Sequence, residues 1–310
     1  MVFWGPRSSV VWLLVLADLF GCDPPPQAHV GTAKRVVSLT PSTTEALAAI
    51  GARDALVGRS RYCDFPPDVL RLPVVGGYVD PSYEAILALT PDLVIGARGP
   101  AGPDISTRLA SRGIDTYFPV TESFAGIDDM LLGLGERTGH VEGARRLVSR
   151  LHEEEAAISK AVSRAPRVRV LLLFGLSPIV AAGPGGFPAE MLDRAGAVNV
   201  VTEGGAYPTL GLEHVLALDP DVIVDAAWGE ATDRGRVGPG SSGWKELRAV
   251  KDGRVVRLED EAILRPGPRI ADGLKKLAHA LHPDLHPAPV GISAALQVTR
   301  RDLGFGPEAA

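Results

Sequence analysis

The feature that most constrains this 310-residue chain is a segment that occurs twice. Starting at Glu84 the sequence reads Glu-Ala-Ile-Leu-Ala-Leu-Thr-Pro-Asp-Leu-Val-Ile-Gly, and 129 positions later, at Glu213, it reads Glu-His-Val-Leu-Ala-Leu-Asp-Pro-Asp-Val-Ile-Val-Asp. The Glu, the Leu-Ala-Leu run and the Pro-Asp pair are identical, and three apolar residues follow the Asp in both copies. Each copy reads as a helix, a Pro-Asp turn and a buried parallel strand. A length of 310 residues suits about two domains of roughly 150 residues each. The repeat makes them structural duplicates, and ligand sites often lie where two such domains meet.

The rest of the pattern places the repeat in an α/β fold. Short β-branched runs at 35–39, 93–97 and 116–120, and again at 167–174, 221–226 and 254–258, alternate with helical spacing, which predicts parallel sheets with crossover helices. No strand signal occurs from Ile127 to Ala165. From Glu142 onward Leu147, Leu151, Ile158 and Val162 fall on one helical stripe, and Pro166 ends it. The expected organisation is an N-terminal lobe over 34–125, a connecting helical segment over 126–166 built around a single long helix, a C-terminal lobe over 167–285 and a tail over 286–310.

Residues 1–21 are set apart from the fold. Arg7 precedes an apolar run from Val10 to Phe20 that is too short to span a bilayer and has the layout of a secretory signal. Its ending, Leu19-Phe20-Gly21-Cys22, resembles a lipobox, in which Cys22 would carry lipid and become the new N-terminus. Residues 22–33, rich in proline, then form an extended tether, and the mature protein is exported, membrane-anchored and periplasmic or cell-surface. With Cys22 so used, Cys63 has no disulfide partner and reads as a partly buried thiol.

Catalytic signatures are missing. The sequence has no phosphate-binding Gly-rich loop, nucleophile elbow, His-Glu-x-x-His or Cys-x-x-Cys, so an enzyme is disfavoured. A formal charge of −5 with no Lys/Arg stripe argues against a nucleic-acid partner. His279, His282 and His286, split by Pro283, read as surface residues rather than metal ligands. Ser42 and Glu45 have the spacing of a capping box at a helix start.

Lys34 to Glu45, the segment Gly58 to Pro67 containing Arg-Tyr-Cys-Asp-Phe-Pro-Pro, Leu72 to Tyr78 ahead of the first repeat, and Arg265-Pro-Gly-Pro-Arg269 together resemble the helical-backbone substrate-binding proteins of ABC importers. The likeness spans about 34–283 and is greatest to the cobalamin-binding branch. It implies two Rossmann-like lobes joined by one rigid helix, a ligand held between lobes that move little, and no catalytic role or resident cofactor.

By the same resemblance, aromatic residues at Tyr62, Tyr78 and Tyr207 would bury the faces of a corrinoid. Tyr78 and Tyr207 stand six residues ahead of Glu84 and Glu213, so they would face one another. Such rings cover a broad apolar disc at small entropic cost. Arg98 and Arg269 are available to a more anionic ligand, and tyrosine can ligate haem iron, so haem or a ferric siderophore is the alternative on the same scaffold. A two-lobed enzyme or a surface sensor without a transporter is the alternative of another class. The resemblance also implies that Glu84 and Glu213 dock, one per subunit, on a two-fold permease dimer with its ATPase. The binding protein itself is expected to be a monomer.

Overall fold

The computed structural model describes residues 1, 32–98, 102–227, 236–258 and 265–284. The expected signal sequence beyond Met1, Cys22, most of the tether, His286 and the tail lie outside them.

The first sheet has four parallel strands, β1 (Val36–Ser38), β2 (Leu56–Arg59), β3 (Leu93–Ile95) and β4 (Asp115–Tyr117), in the order β2-β1-β3-β4. Helices α1 (Pro41–Ile50), α2 (Tyr83–Ala88) and α3 (Gly102–Ala110) make its crossovers. Strand β2 is too short and glycine-broken to have stood out in the sequence. The second sheet joins β5 (Val168–Leu176), β6 (Ile179–Ala181), β7 (Ala197–Asn199), β8 (Thr209–Leu210), β9 (Val222–Asp225) and β10 (Val255–Arg257). Its order is β10-β9-β5-β6-β8, with β7 also on β5. It is mixed rather than wholly parallel, because β5 turns back through Ser177-Pro178 into antiparallel β6, which pairs antiparallel with β8. Helices α6 (Gly186–Arg194), α7 (Leu212–Leu218), α8 (Arg248–Lys251) and α9 (Ile270–Leu281) complete this lobe.

The two repeat copies fold alike, and the polar contacts that hold them correspond. Each forms a short helix, α2 or α7, then a turn, then the strand β3 or β9 that pairs parallel with the first strand of its lobe. The residue before each Pro-Asp is non-glycine and left-handed, Thr90 at φ 44° and Asp219 at φ 36°. Asp92 accepts from the backbone N–H groups of Lys34 (2.8 Å) and Arg35 (2.9 Å), and Asp221 accepts from that of Arg169 (3.2 Å). The guanidiniums of Arg35 and Arg169 each donate to the carbonyl ending the repeat helix, Leu89 and Leu218, at 2.7 Å. Orphan C-terminal carbonyls are thereby satisfied by a cation placed where the helix dipole favours it. The Asp of the repeat is therefore a strand-entry lock, which explains its identity in both copies.

Two helices lie between the sheets. α4 (Phe124–Thr138) starts at Ser123, whose hydroxyl accepts from Gly126 N–H, and stops at Gly139 in a left-handed cap. α5 (Val141–Val162) is the long helix of 22 residues, and Leu147, Leu151, Ile158 and Val162 are among its buried residues, as the stripe predicts. It packs against α1 and α4 on one side of the molecule and α6 and α9 on the other. One apolar core runs through both lobes by way of α5, from Leu47 and Leu131 to Leu172, Phe187 and Leu274.

The start of α1 differs from the capping-box expectation. Pro41 occupies the first helical turn and Thr40 is extended, the preference for a residue before proline, so the helix begins ahead of Ser42. Glu45 turns away from the helix start. Its Oε1 accepts from Arg265 at 2.6 Å and Arg269 at 2.7 Å, its Oε2 accepts from Arg269 at 2.8 Å, and the carboxylate is buried. His282 is also corrected: it is buried, with Nε2 3.1 Å from the carbonyl of Ala195, rather than at the surface. Cys63 is fully buried, its thiol 3.2 Å from the Ser60 hydroxyl.

Candidate ligand-binding cleft

In an open parallel sheet the loops beyond the carboxyl ends of the strands build the ligand site. Here those loops carry the residues that the sequence singled out. Beyond β2 come Arg61, Tyr62 and Phe65; beyond β3, Arg98; beyond β4, Glu122. Tyr78 reaches the same edge from a turn held by the bridge between Gly76 and Pro81. At Gly76 φ is 101° and a Cβ would collide with the backbone of Asp80, so only glycine makes this turn. The ion pair between Arg61 and Asp80, 2.7 Å, ties the Tyr78 turn to the Tyr62 loop.

Five tyrosines occur in the chain, and they divide into two kinds. Tyr83 and Tyr117 are packed under arginines, with guanidiniums 4.0 Å and 3.9 Å from the ring centres, and their hydroxyls donate to backbone carbonyls. Tyr62 and Tyr207 are about half exposed, as is Phe65. Exposed aromatics gathered at one edge in a chain with few aromatic residues mark a contact surface. Tyr78 is half-buried and donates its hydroxyl to the carbonyl of Arg98, 3.0 Å.

Tyr207 belongs to the second lobe, on the loop between β7 and β8. Phe174 meets its ring edge-on at 5.5 Å, and its hydroxyl reaches Glu122 of the first lobe at 3.4 Å. Burial first, and then the Glu122 charge, raise the Tyr78 phenol, and the same two causes in the same order push Tyr207 up to about 12. One carboxylate is therefore felt by both tyrosines, which stand on opposite lobes of a shared cleft. Glu122, Phe65 and Phe174 are cleft residues that sequence reasoning missed. Glu122 carried a usable signal, since it falls just past the end of a predicted parallel strand.

Arg98 is exposed at the same edge. Arg269 is committed to Glu45 and lies over the Phe65 ring, 4.5 Å from its centre, so it fastens the Tyr62–Pro67 loop to the second lobe. Glu84 and Glu213 are exposed in the first turns of α2 and α7, and among the described residues neither makes an ion pair. Each helix runs antiparallel to the strand that follows it, which brings both carboxylates to the end of the molecule where the cleft opens. Among the described residues no group of three or more His, Cys, Asp or Glu side chains could hold a metal ion.

Two α/β lobes, a shared helix and an aromatic-lined cleft define a two-lobed ligand-binding protein of the kind that serves ABC importers. The chain belongs to the periplasmic binding protein family, whose model matches residues 36–262. A cobalamin-binding protein of Halobacterium salinarum is 31% identical over 80% of this chain and 69% of its own length. Among solved structures, the periplasmic vitamin B12-binding protein BtuF of Vibrio cholerae superposes with a TM-score of 0.69 at 28% identity, covering 80% of this chain and 96% of that one. A periplasmic heme-binding protein from Pseudomonas aeruginosa superposes with 0.71 at 29% identity, covering 82% and 95%. The chain is a substrate-binding component of transport, not an enzyme.

Proposed function

We propose that this protein binds a corrinoid, cobalamin or a close relative, between Tyr62 and Tyr78 on one lobe and Tyr207 on the other, and delivers it as cargo to a permease dimer. The observation that carries the reading is that Tyr78 of one lobe and Tyr207 of the other both feel Glu122, which the Tyr207 hydroxyl reaches at 3.4 Å. Haem on the same scaffold is the second reading, favoured by the heme-binding relative above and by the capacity of tyrosine to ligate iron. Ligation needs a phenolate, however, and burial and the neighbouring Glu122 raise the Tyr207 phenol, which makes that proton costlier to remove and weighs toward stacking against a disc.

Isothermal titration of the soluble fragment from about residue 28 with cyanocobalamin, haemin and a ferric siderophore is the deciding measurement. Cyanocobalamin is expected to bind, and binding of haemin alone would overturn the reading. Tyr78→Ala and Tyr207→Ala are each expected to weaken cyanocobalamin by about 1–3 kcal/mol, the scale of a buried aromatic contact. Wild-type affinity in either would place the ligand elsewhere.

Export and anchoring complete the proposal. The mature chain starts at a lipid-bearing Cys22 and acts as a monomer. Cys22→Ser is expected to leave the precursor unprocessed or release soluble protein, and unchanged processing and membrane fractionation would remove the anchor.

A further inference from the structure

Among the described residues, Glu122 is the carboxylate that, after burial, raises the phenols of both Tyr78 of the first lobe and Tyr207 of the second. Its Oε2 lies 3.4 Å from the Tyr207 hydroxyl. A Cβ built on Gly186, the first residue of α6, would come to 3.4 Å from the same oxygen, so the carboxylate rests against the start of that helix, where the dipole favours an anion. No cation among the described residues offsets Glu122 at Tyr78 or Tyr207. Tyr117 makes the contrast, because there the Arg137 guanidinium opposes the neighbouring carboxylates. Arg98 stands at the same edge but brings only its carbonyl to Tyr78.

We propose that Glu122 is the specificity-determining residue of the cleft: it accepts hydrogen bonds from a ligand whose rim bears neutral amides and repels one whose rim bears carboxylates. The inference rests on the corrinoid reading and adds to it a reason for selection between two discs of similar breadth. A corrin carries amide N–H donors around its edge, whereas haem carries two propionates. A carboxylate facing an amide gains a charge-assisted hydrogen bond. The same carboxylate facing a propionate has no bond to make and a like charge to oppose, and such juxtaposition is how a site excludes a near-match.

Glu122→Gln keeps the size and removes the charge. Titration of wild type and variant with cyanocobalamin, with its monocarboxylic acid derivatives, in which one rim amide is hydrolysed, and with haemin separates the contributions. In the variant, cyanocobalamin is expected to weaken a few-fold, while haemin and at least one monocarboxylate tighten by about tenfold, the effect of removing one partly screened like charge. A parallel change for all ligands, or no change for the anionic ones, would overturn the role of Glu122. If wild type binds haemin and not cyanocobalamin, the corrinoid reading falls, and the haemin titration of the variant still decides whether Glu122 repels carboxylates. Matching melting temperatures for the two proteins establish that the change is in the cleft.

Discussion

Replacing Glu45 by Ala is expected to lower the melting temperature by about 6–12 °C, corresponding to about 3 kcal/mol in a fold of this size. The carboxylate is buried and takes three hydrogen bonds from two guanidiniums, one of them bidentate. Without it, Arg265 and Arg269, themselves largely covered, would lose the buried carboxylate that they share. Breaking one member of a buried ion cluster costs far more than the cluster contributes as a whole, since the partners' desolvation is left uncompensated. The damage should reach the ligand loop, because the Arg269 guanidinium also covers the Phe65 ring. Hydrogen exchange over 60–67 is therefore expected to quicken in the variant. Calorimetry giving a melting temperature within 2 °C of wild type would mean that the cluster is not part of what holds the lobes together.

The double replacement of Glu84 and Glu213 by Gln is expected to abolish stimulation of the transporter's ATPase while leaving ligand affinity as it was. Each carboxylate complements its own helix dipole, but such surface effects are worth only about 0.3–1 kcal/mol and would show as a small loss of stability. Their lack of ion-pair partners among the described residues, their exposure and their matched places in the two copies suit a two-fold partner bearing complementary charge, which would set encounter rate and register. Reconstitution with the permease in vesicles reads the outcome directly. Wild-type stimulation by the double variant would confine the pair to capping their helices.

The sequence foretold the parts of this fold that depend on periodicity and duplication. The stripe Leu147, Leu151, Ile158 and Val162 is buried along α5, and the two repeat copies occupy matching places, because a helix face and a repeated helix-turn-strand unit are local properties of the chain. Long-range pairing was less accessible. Glu45 lies 220 residues from Arg265. Its local spacing offered a capping box, and the choice between the two was made by a buried site that exists only once the lobes have met. The mixed second sheet was hidden for the same reason, since β6 and β8 are short and their direction follows from a turn at Ser177-Pro178. At the cleft, Tyr78 and Tyr207 stood out in the sequence through their matching places ahead of the two repeats, whereas Glu122 offered only its position just past a predicted strand, and its approach to Tyr207 of the other lobe belongs to the fold.

The core that passes through α5, together with the fastening of the Phe65 loop by Arg269, has a consequence for how occupancy is reported. A protein whose halves swing shut around their cargo announces that it is full by its outline. Here the halves share one packed interior, and interiors of this density do not deform in small steps. Filled and empty molecules would then present nearly the same silhouette. The information that distinguishes them would then lie in the exposed edge of the cargo itself, displayed between the two carboxylate-bearing helices, and unloading would fall to whatever can reach into that gap.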